Sequence, residues 1–338
     1  MRGALAGPAL VSIGILLATS GGSWDITNHL LNKPETFFAA PHAVLYSGVA
    51  LAVAGAIIAR FSASNRQQIG RFNALMLVGV SMLVGAGPAD FLWHSRFGLD
   101  GLLSPPHFVL VAGLAVSSIG SLAVLSRSSR SVLIVALASL PVWLAMSGML
   151  YMFSLPFSKT DYFDFNPNPE IAAALETIGF PFLVSSLLSV VSILTGRRFG
   201  AITIVGAGFI VVSSLTSILP NASLAPAIPF YLVNLLPIFT ADIILSHVQN
   251  KYSRLAAGAA LGLMFITLYF PLITHTFNKV LTPQRAVWPS LTGIIYFDLV
   301  DRLFELTSTV AVVAGACGAL AASKLFKSSR AFCLVSNS

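Results

Sequence analysis

The sequence predicts an all-α fold, a polytopic membrane helix bundle of about ten transmembrane helices. Of its 338 residues, 56% are hydrophobic and only 9% are charged, whereas an average soluble domain has roughly 25% charged residues. The apolar residues fall into runs of roughly 20, the length at which a helix crosses the hydrocarbon core. These runs cover residues 4–29, 41–60, 69–94, 106–126, 131–153, 170–195, 199–219, 226–248, 255–275 and 291–322.

Basic residues predict the orientation of these helices. Thirteen Lys and Arg residues lie at the N-terminus, in the loops after even-numbered runs or in the C-terminal segment 323–338, against five in the opposite loops. Because cytoplasmic loops carry the excess of Lys and Arg, both termini are predicted to be cytoplasmic, in the cell membrane. The net charge of +7 is explained by this distribution and by attraction to the lipid bilayer. It requires no nucleic acid partner.

A pattern of acidic and imidazole side chains occurs twice in the first 126 residues. Asp is followed by His after three intervening residues, and by a second His after twelve more. The two copies, 65 positions apart, are Asp25, His29 and His42, then Asp90, His94 and His107. The chain has six His residues, and this pattern contains four of them. Residues 1–60 and 66–126 are therefore predicted to be tandem helix hairpins of the same orientation, followed by a helical bundle over 127–322 within one membrane domain.

The spacing suggests what each copy can bind. Asp and His at positions i and i+4 lie on one face of a helix, and the final His follows a Pro, which is tolerated in the first turn of the next helix. Each copy thus directs one carboxylate and two imidazoles at a common point. Such a set suits zinc, copper or iron and leaves a coordination position open. The alternative is a hydrogen-bonded Asp–His pair that only holds the helix ends together.

The pattern Asp-x3-His-x12-His at a transmembrane helix end resembles a metal site of the copper membrane monooxygenases, the particulate methane and ammonia monooxygenases, in the third of their subunits. The resemblance implies that Asp25, His29 and His42 form one metal site and that Asp90, His94 and His107 form another, with copper as the ion. The sequence from Asp90 to Asp100, followed by Ser104-Pro-Pro-His107, is also similar to a group of uncharacterised prokaryotic multi-pass proteins. That similarity implies no activity.

Acidic side chains in the later runs are candidates for a proton or cation pathway, because an intramembrane carboxylate is costly and is often functional. Asp298, Asp301 and Glu305 have the spacing of one helical face, and we expect them to face the bundle interior. The full set of candidates is Glu176, His275, Asp298, Asp301 and Glu305. The alternatives are a protonated carboxyl for Glu176 and a salt-bridged seam with Arg302 for the others.

Three classes of function remain open from the sequence. The first is a membrane copper protein with outward-facing sites, acting in oxidation or in copper handling, for which membrane partner subunits are expected if the chemistry is redox. The second is a cation or proton-coupled transporter, which needs polar groups that continue to the cytoplasmic side; Asp242 and His247 are the candidates there. The third is a structural membrane protein with Asp–His staples.

Overall fold

The computed structural model describes residues 2–30, 39–62, 67–97, 102–129, 131–154, 169–248, 250, 252–269 and 302–335. Side chains are described within these ranges except at 2–4, 29–30, 67–69, 169 and 326–335. Every regular element in these ranges is helical, so the predicted all-α polytopic bundle is confirmed.

Twelve α-helices make up the described part of the chain. They are α1 (Arg2–Leu30), α2 (Ala40–Phe61), α3 (Gln67–Phe97), α4 (Pro105–Ser128), α5 (Val132–Tyr151), α6 (Pro169–Ala174), α7 (Phe180–Leu194), α8 (Ala201–Ile218), α9 (Ile228–Val233), α10 (Leu235–His247), α11 (Ser253–Met264) and α12 (Phe304–Val335). A π-helical turn, Leu175–Gly179, joins α6 to α7, and a second, Phe265–Tyr269, extends α11. A 3-10 turn, Ala222–Ala227, precedes α9.

The observed helices follow the predicted runs with two differences. Nine helical stretches in the described ranges are long and apolar enough to cross a membrane, and the ninth predicted run is represented by a shorter one, Ser253–Tyr269. The last helix begins at Phe304 and continues to Val335. It therefore runs through most of the C-terminal segment 323–338, which the basic residues predict to be a cytoplasmic tail. Residues 291–301, which begin the tenth predicted run, lie outside the described residues.

Many large apolar side chains point outward from these helices. Ile57, Val78, Val84 and Val211 are each about half exposed, although they lie within long apolar helices. A soluble protein rarely exposes contiguous apolar patches of this kind, and a bilayer provides the apolar surroundings that these side chains need. The exposed faces therefore agree with a bundle whose outer surface contacts lipid.

Backbone contact between paired helices organises the N-terminal half. Helix α1 packs along α2, and α3 packs along α4. A Cβ atom at Gly14 would lie 2.6 Å from the Gly48 carbonyl oxygen, and one at Gly79 would lie 2.8 Å from the Gly113 carbonyl oxygen. Any side chain at these positions would force the helices apart, since small residues are what permit close approach in membranes. The glycine contacts in the two hairpins are 65 positions apart, like the Asp/His motifs.

The C-terminal half surrounds a second, larger core. Helices α5, α7, α8, α10 and α11 contribute its buried side chains, among them Trp143, which stacks on Phe209 with ring centroids 4.4 Å apart. Helix α12 packs against α7 and α11. The N-terminal hairpins join this core through α4, which contacts both α1 and α5.

Asp242 has a structural role at the start of α8. It is only 1% exposed, and one carboxylate oxygen accepts hydrogen bonds from the backbone N–H of Gly200 at 3.0 Å and of Thr203 at 3.0 Å. The Thr203 hydroxyl donates a third bond at 2.7 Å. Backbone N–H groups at a helix N-terminus have no intrahelical partner and favour a negative charge. Asp242 therefore caps α8 from a neighbouring helix.

We expect Asp242→Ala to lower the free energy of unfolding by about 3 kcal/mol, because it leaves buried N–H groups without an acceptor. Denaturation of the detergent-solubilised protein measures this. Thr240→Ala is the matched control, since Thr240 is exposed on the same helix and donates only to the Leu236 carbonyl oxygen. Equal stability of the two variants would contradict the capping role.

Candidate metal centre

The end of α3 and the start of α4 bring three predicted ligands together. Nε2 of His107 lies 3.1 Å from Oδ1 of Asp90, and Nε2 of His94 lies 3.4 Å from the same oxygen. One donor atom from each residue falls within 4.8 Å of the other two. A metal bound at about 2.1 Å from each ligand separates neighbouring ligand atoms by about 3–3.5 Å. The cluster thus has dimensions close to those of a three-ligand metal site.

The local sequence explains this geometry. Asp90 and His94 occupy the last turns of α3 with i, i+4 spacing, so they lie on one face. Pro105 and Pro106 form the first turn of α4, where their missing N–H groups cost nothing. Ser104 is the N-cap, and its hydroxyl oxygen accepts a hydrogen bond from the His107 backbone N–H at 3.4 Å. His107 is therefore held in the first turn of α4, facing α3.

The hydrogen bonding of the cluster bears on its chemistry. Oδ1 of Asp90 is buried and accepts no hydrogen bond of good geometry from the described residues, although two imidazole nitrogens lie within 3.4 Å. Nδ1 of His107 is also buried and has no hydrogen-bond partner among them. Buried polar atoms are normally hydrogen-bonded. Nδ1 of His107 points away from Asp90, since Nε2 is the nitrogen that faces it. A buried carboxylate oxygen that lies against two imidazole nitrogens without an aligned hydrogen bond fits a site that a cation would complete.

The first copy of the motif is described in part. Nε2 of His42 lies 3.1 Å from Oδ1 of Asp25, and both side chains are about one-fifth exposed. His42 occupies the same position in the first turn of α2 as His107 does in α4. The side chain of His29 lies outside the described residues. The structure thus brings together two of the three ligands predicted for this copy.

The two clusters are neighbours. The Asp90 carboxylate interacts electrostatically with His42 as well as with His94 and His107. All of these groups therefore lie at one end of the N-terminal hairpins. The other end has Arg60 in the last turn of α2 and Arg127 in the last turn of α4.

Tyr46 lies near both clusters, and the repeated Asp/His pattern does not include it. Its hydroxyl interacts electrostatically with the carboxylates of both Asp25 and Asp90, and its ring is packed against α3 near Gly87. Tyr46 is one helical turn after His42, which was the available signal. The repeat does not indicate Tyr46, because the corresponding residue in the second copy, 65 positions later, is Val111.

The other candidates divide into three groups. Glu176 is 5% exposed and lies in the π-helical turn between α6 and α7, and its role in a pathway stays a prediction. Glu305 is exposed in the first turn of α12, so the interior position predicted for it is wrong. The turn at residues 302–303 precedes this helix and interrupts the continuous helical face on which that expectation depended. His275, Asp298 and Asp301 lie outside the described residues.

Comparison with known proteins adds no assignment. No protein-family model, no curated protein and no solved structure matches the chain.

The position of His107 should depend on Ser104. Ser104→Ala removes an N-cap, which lowers stability by about 1 kcal/mol, and we expect it to weaken binding of added metal about tenfold, as loss of a supporting group does. Ser131→Ala is a matched control, because Ser131 caps α5 through the Ile134 N–H in the same way. It should lower stability equally and leave the metal affinity unchanged. Equal metal affinity in both variants would contradict the positioning role of Ser104.

Proposed function

We propose that this chain is a membrane copper-binding protein with two Asp/His/His sites at the outer face. The observation that carries the proposal is the convergence of Asp90, His94 and His107. Two imidazoles and one carboxylate form a recurrent ligand set for first-row metals, and three protein ligands leave a position for an exchangeable ligand. A copper ion held there would supply redox chemistry or transfer of the ion itself.

The matched hairpins support a second, equivalent site. Asp25 and His42 repeat the distance between Asp90 and His107, and the glycine contacts repeat at the same offset. In this proposal the hairpins are a tandem repeat, and His29 is the remaining ligand of the first site. Tyr46 lies near both sites.

The choice of copper depends on three considerations. The motif resembles the metal site in the third subunit of the copper membrane monooxygenases, and that resemblance implies copper as the ion. The distribution of basic residues favours cytoplasmic termini, which puts the sites on the outer side of the cell membrane. Cu²⁺ also binds nitrogen and oxygen ligands more tightly than the other divalent first-row ions do. Zinc and iron are the competing ions.

In an oxidising role the site would need an electron donor, which calls for partner subunits in the membrane.

The transporter alternative is less well supported. It needs polar groups that lead from the metal sites to the cytoplasmic side, and Asp242 and His247 were the candidates. One oxygen of the Asp242 carboxylate caps α8 through three hydrogen bonds, and His247 is exposed with its ring hydrogen-bonded to Ser246. Neither residue is placed as an open relay.

Metal content tests the ligand assignment. The protein should be purified with an affinity tag that has no histidines and measured by inductively coupled plasma mass spectrometry. Removing one of three ligands should abolish tight binding at that site, so His107→Ala and His42→Ala should each lower the metal content by about half. The double variant should have almost none.

His247→Ala is the control for these variants, because His247 is an exposed histidine near the end of α10. It should keep the full metal content. Retention of all metal in the double variant would refute the proposed ligands, and the Asp–His pairs would then be structural staples.

Metal identity needs a separate experiment, because Cu²⁺ outcompetes other divalent ions at almost any nitrogen and oxygen site. We expect copper to predominate when the protein is expressed with copper, zinc and iron at equal, limiting supply. Its Cu²⁺ form should show nitrogen hyperfine structure in electron paramagnetic resonance, and this structure should disappear in the His94→Ala/His107→Ala/His42→Ala variant. Predominant zinc or iron would contradict the choice of copper and leave the ligand assignment intact.

A further inference from the structure

A cavity with aromatic walls lies in the C-terminal half, and none of the candidate metal ligands lines it. It is bordered by α5, α7, α8, α10 and α11, and its volume is about 40 Å³. One water takes up roughly 10–15 Å³ of such a cavity, so the cavity has room for about three waters or one small molecule. Its aromatic lining consists of Trp143, Tyr151, Phe180, Phe209, Phe265 and Tyr269.

The aromatic rings are fixed by contacts with each other. Trp143 stacks on Phe209 at 4.4 Å between ring centroids, and Phe180 stacks on Phe265 at 5.3 Å. Phe265 also stacks on Tyr269. A rigid group of aromatic rings is a frequent binding environment for alkylated ammonium ions, which are attracted to the negative faces of the rings.

The hydroxyl groups at the wall have few or weak hydrogen bonds. Ser147 is 2% exposed, and its Oγ has no hydrogen-bond partner among the described residues. The hydroxyls of Tyr151 and Tyr269 approach each other at 3.5 Å, at the limit of a hydrogen bond. Buried hydroxyls in this state can accept hydrogen bonds from a ligand.

Glu176 supplies a buried carboxyl group behind this wall. Its carboxylate interacts electrostatically with the hydroxyls of both Tyr151 and Tyr269. Ser154 is its polar neighbour, and none of the described basic residues is paired with it. A buried carboxylate in a membrane requires a proton or a cation.

Irregular backbone surrounds the same cavity. The π-helical turn Leu175–Gly179 holds Glu176, and the π-helical turn Phe265–Tyr269 contributes two of the aromatic rings. Asn234, which also lines the cavity, separates α9 from α10. Such π turns are frequent at functional sites, and discontinuous helices border the binding sites of many membrane proteins.

We propose that this cavity binds a small alkylammonium ion, of about the size of methylammonium. The ammonium group would donate hydrogen bonds to the hydroxyls of Ser147, Tyr151 and Tyr269, with Glu176 as its counter-charge. The methyl group would lie against the aromatic rings. An anion is disfavoured by the carboxylate. Alkali and divalent metal ions are disfavoured because oxygen-coordinated ions take about six or more oxygen ligands, and this wall is mostly apolar.

Equilibrium binding of radiolabelled methylammonium to the full-length protein in detergent micelles tests the proposal. Saturable binding is expected, and Glu176→Gln should weaken it at least about tenfold, since it removes a buried counter-charge. Glu170→Gln, at an exposed position on the same helical stretch, should bind like the unchanged protein. Excess potassium chloride should not compete.

A second variant tests the same cavity in case Glu176→Gln does not fold. Ser147→Leu fills the cavity without touching Glu176 and should also abolish binding. Both variants should retain the metal content of the unchanged protein, which shows that they are folded and separates this site from the metal sites. Absence of saturable binding, binding that is equal in Glu176→Gln, or full competition by potassium would overturn the proposal.

Discussion

Backbone contact between the two helices of each N-terminal hairpin determines where the charged groups at its end can lie. Gly14 meets Gly48, and Gly79 meets Gly113, at distances that leave no space for a side chain. With the helices this close, a residue in the last turns of one helix faces the first turn of the next. Asp90 consequently lies 3.1 Å from His107, and Asp25 lies 3.1 Å from His42. The candidate metal centre depends on this helix packing.

Three carboxylates of the bundle have three different environments. Asp242 is satisfied by the free N–H groups of α8 and has a structural role. Oδ1 of Asp90 lies against two imidazoles without an aligned hydrogen bond, which suits a shared metal ion. Glu176 has hydroxyl neighbours and no basic partner among the described residues, which suits an exchangeable cation. Charge in a bilayer must be compensated. The protein itself compensates Asp242, which caps a helix, whereas Asp90 and Glu176 belong to candidate sites for a bound cation.

The sequence predicted most of the fold, because apolar runs of membrane length are a strong signal. It also predicted the convergence of Asp90, His94 and His107, since i, i+4 spacing and a Pro-initiated helix restrict where these side chains can point. It could not predict Tyr46, which has no counterpart at Val111. It placed Glu305 inside the bundle, because helical spacing tells which residues share a face but not which way that face points. The sequence also could not predict the cavity beside Glu176, because the cavity forms where five separate helices meet.

The central claim is that Asp90, His94 and His107 hold a copper ion. X-ray absorption at the copper edge on the Asp25→Ala/His42→Ala variant tests it most directly, because only the second site remains. The account predicts bound copper with a shell of nitrogen and oxygen ligands at about 2.0 Å and the outer-shell scattering of two imidazoles. A variant without stoichiometric copper, or copper without imidazole scattering, would contradict it.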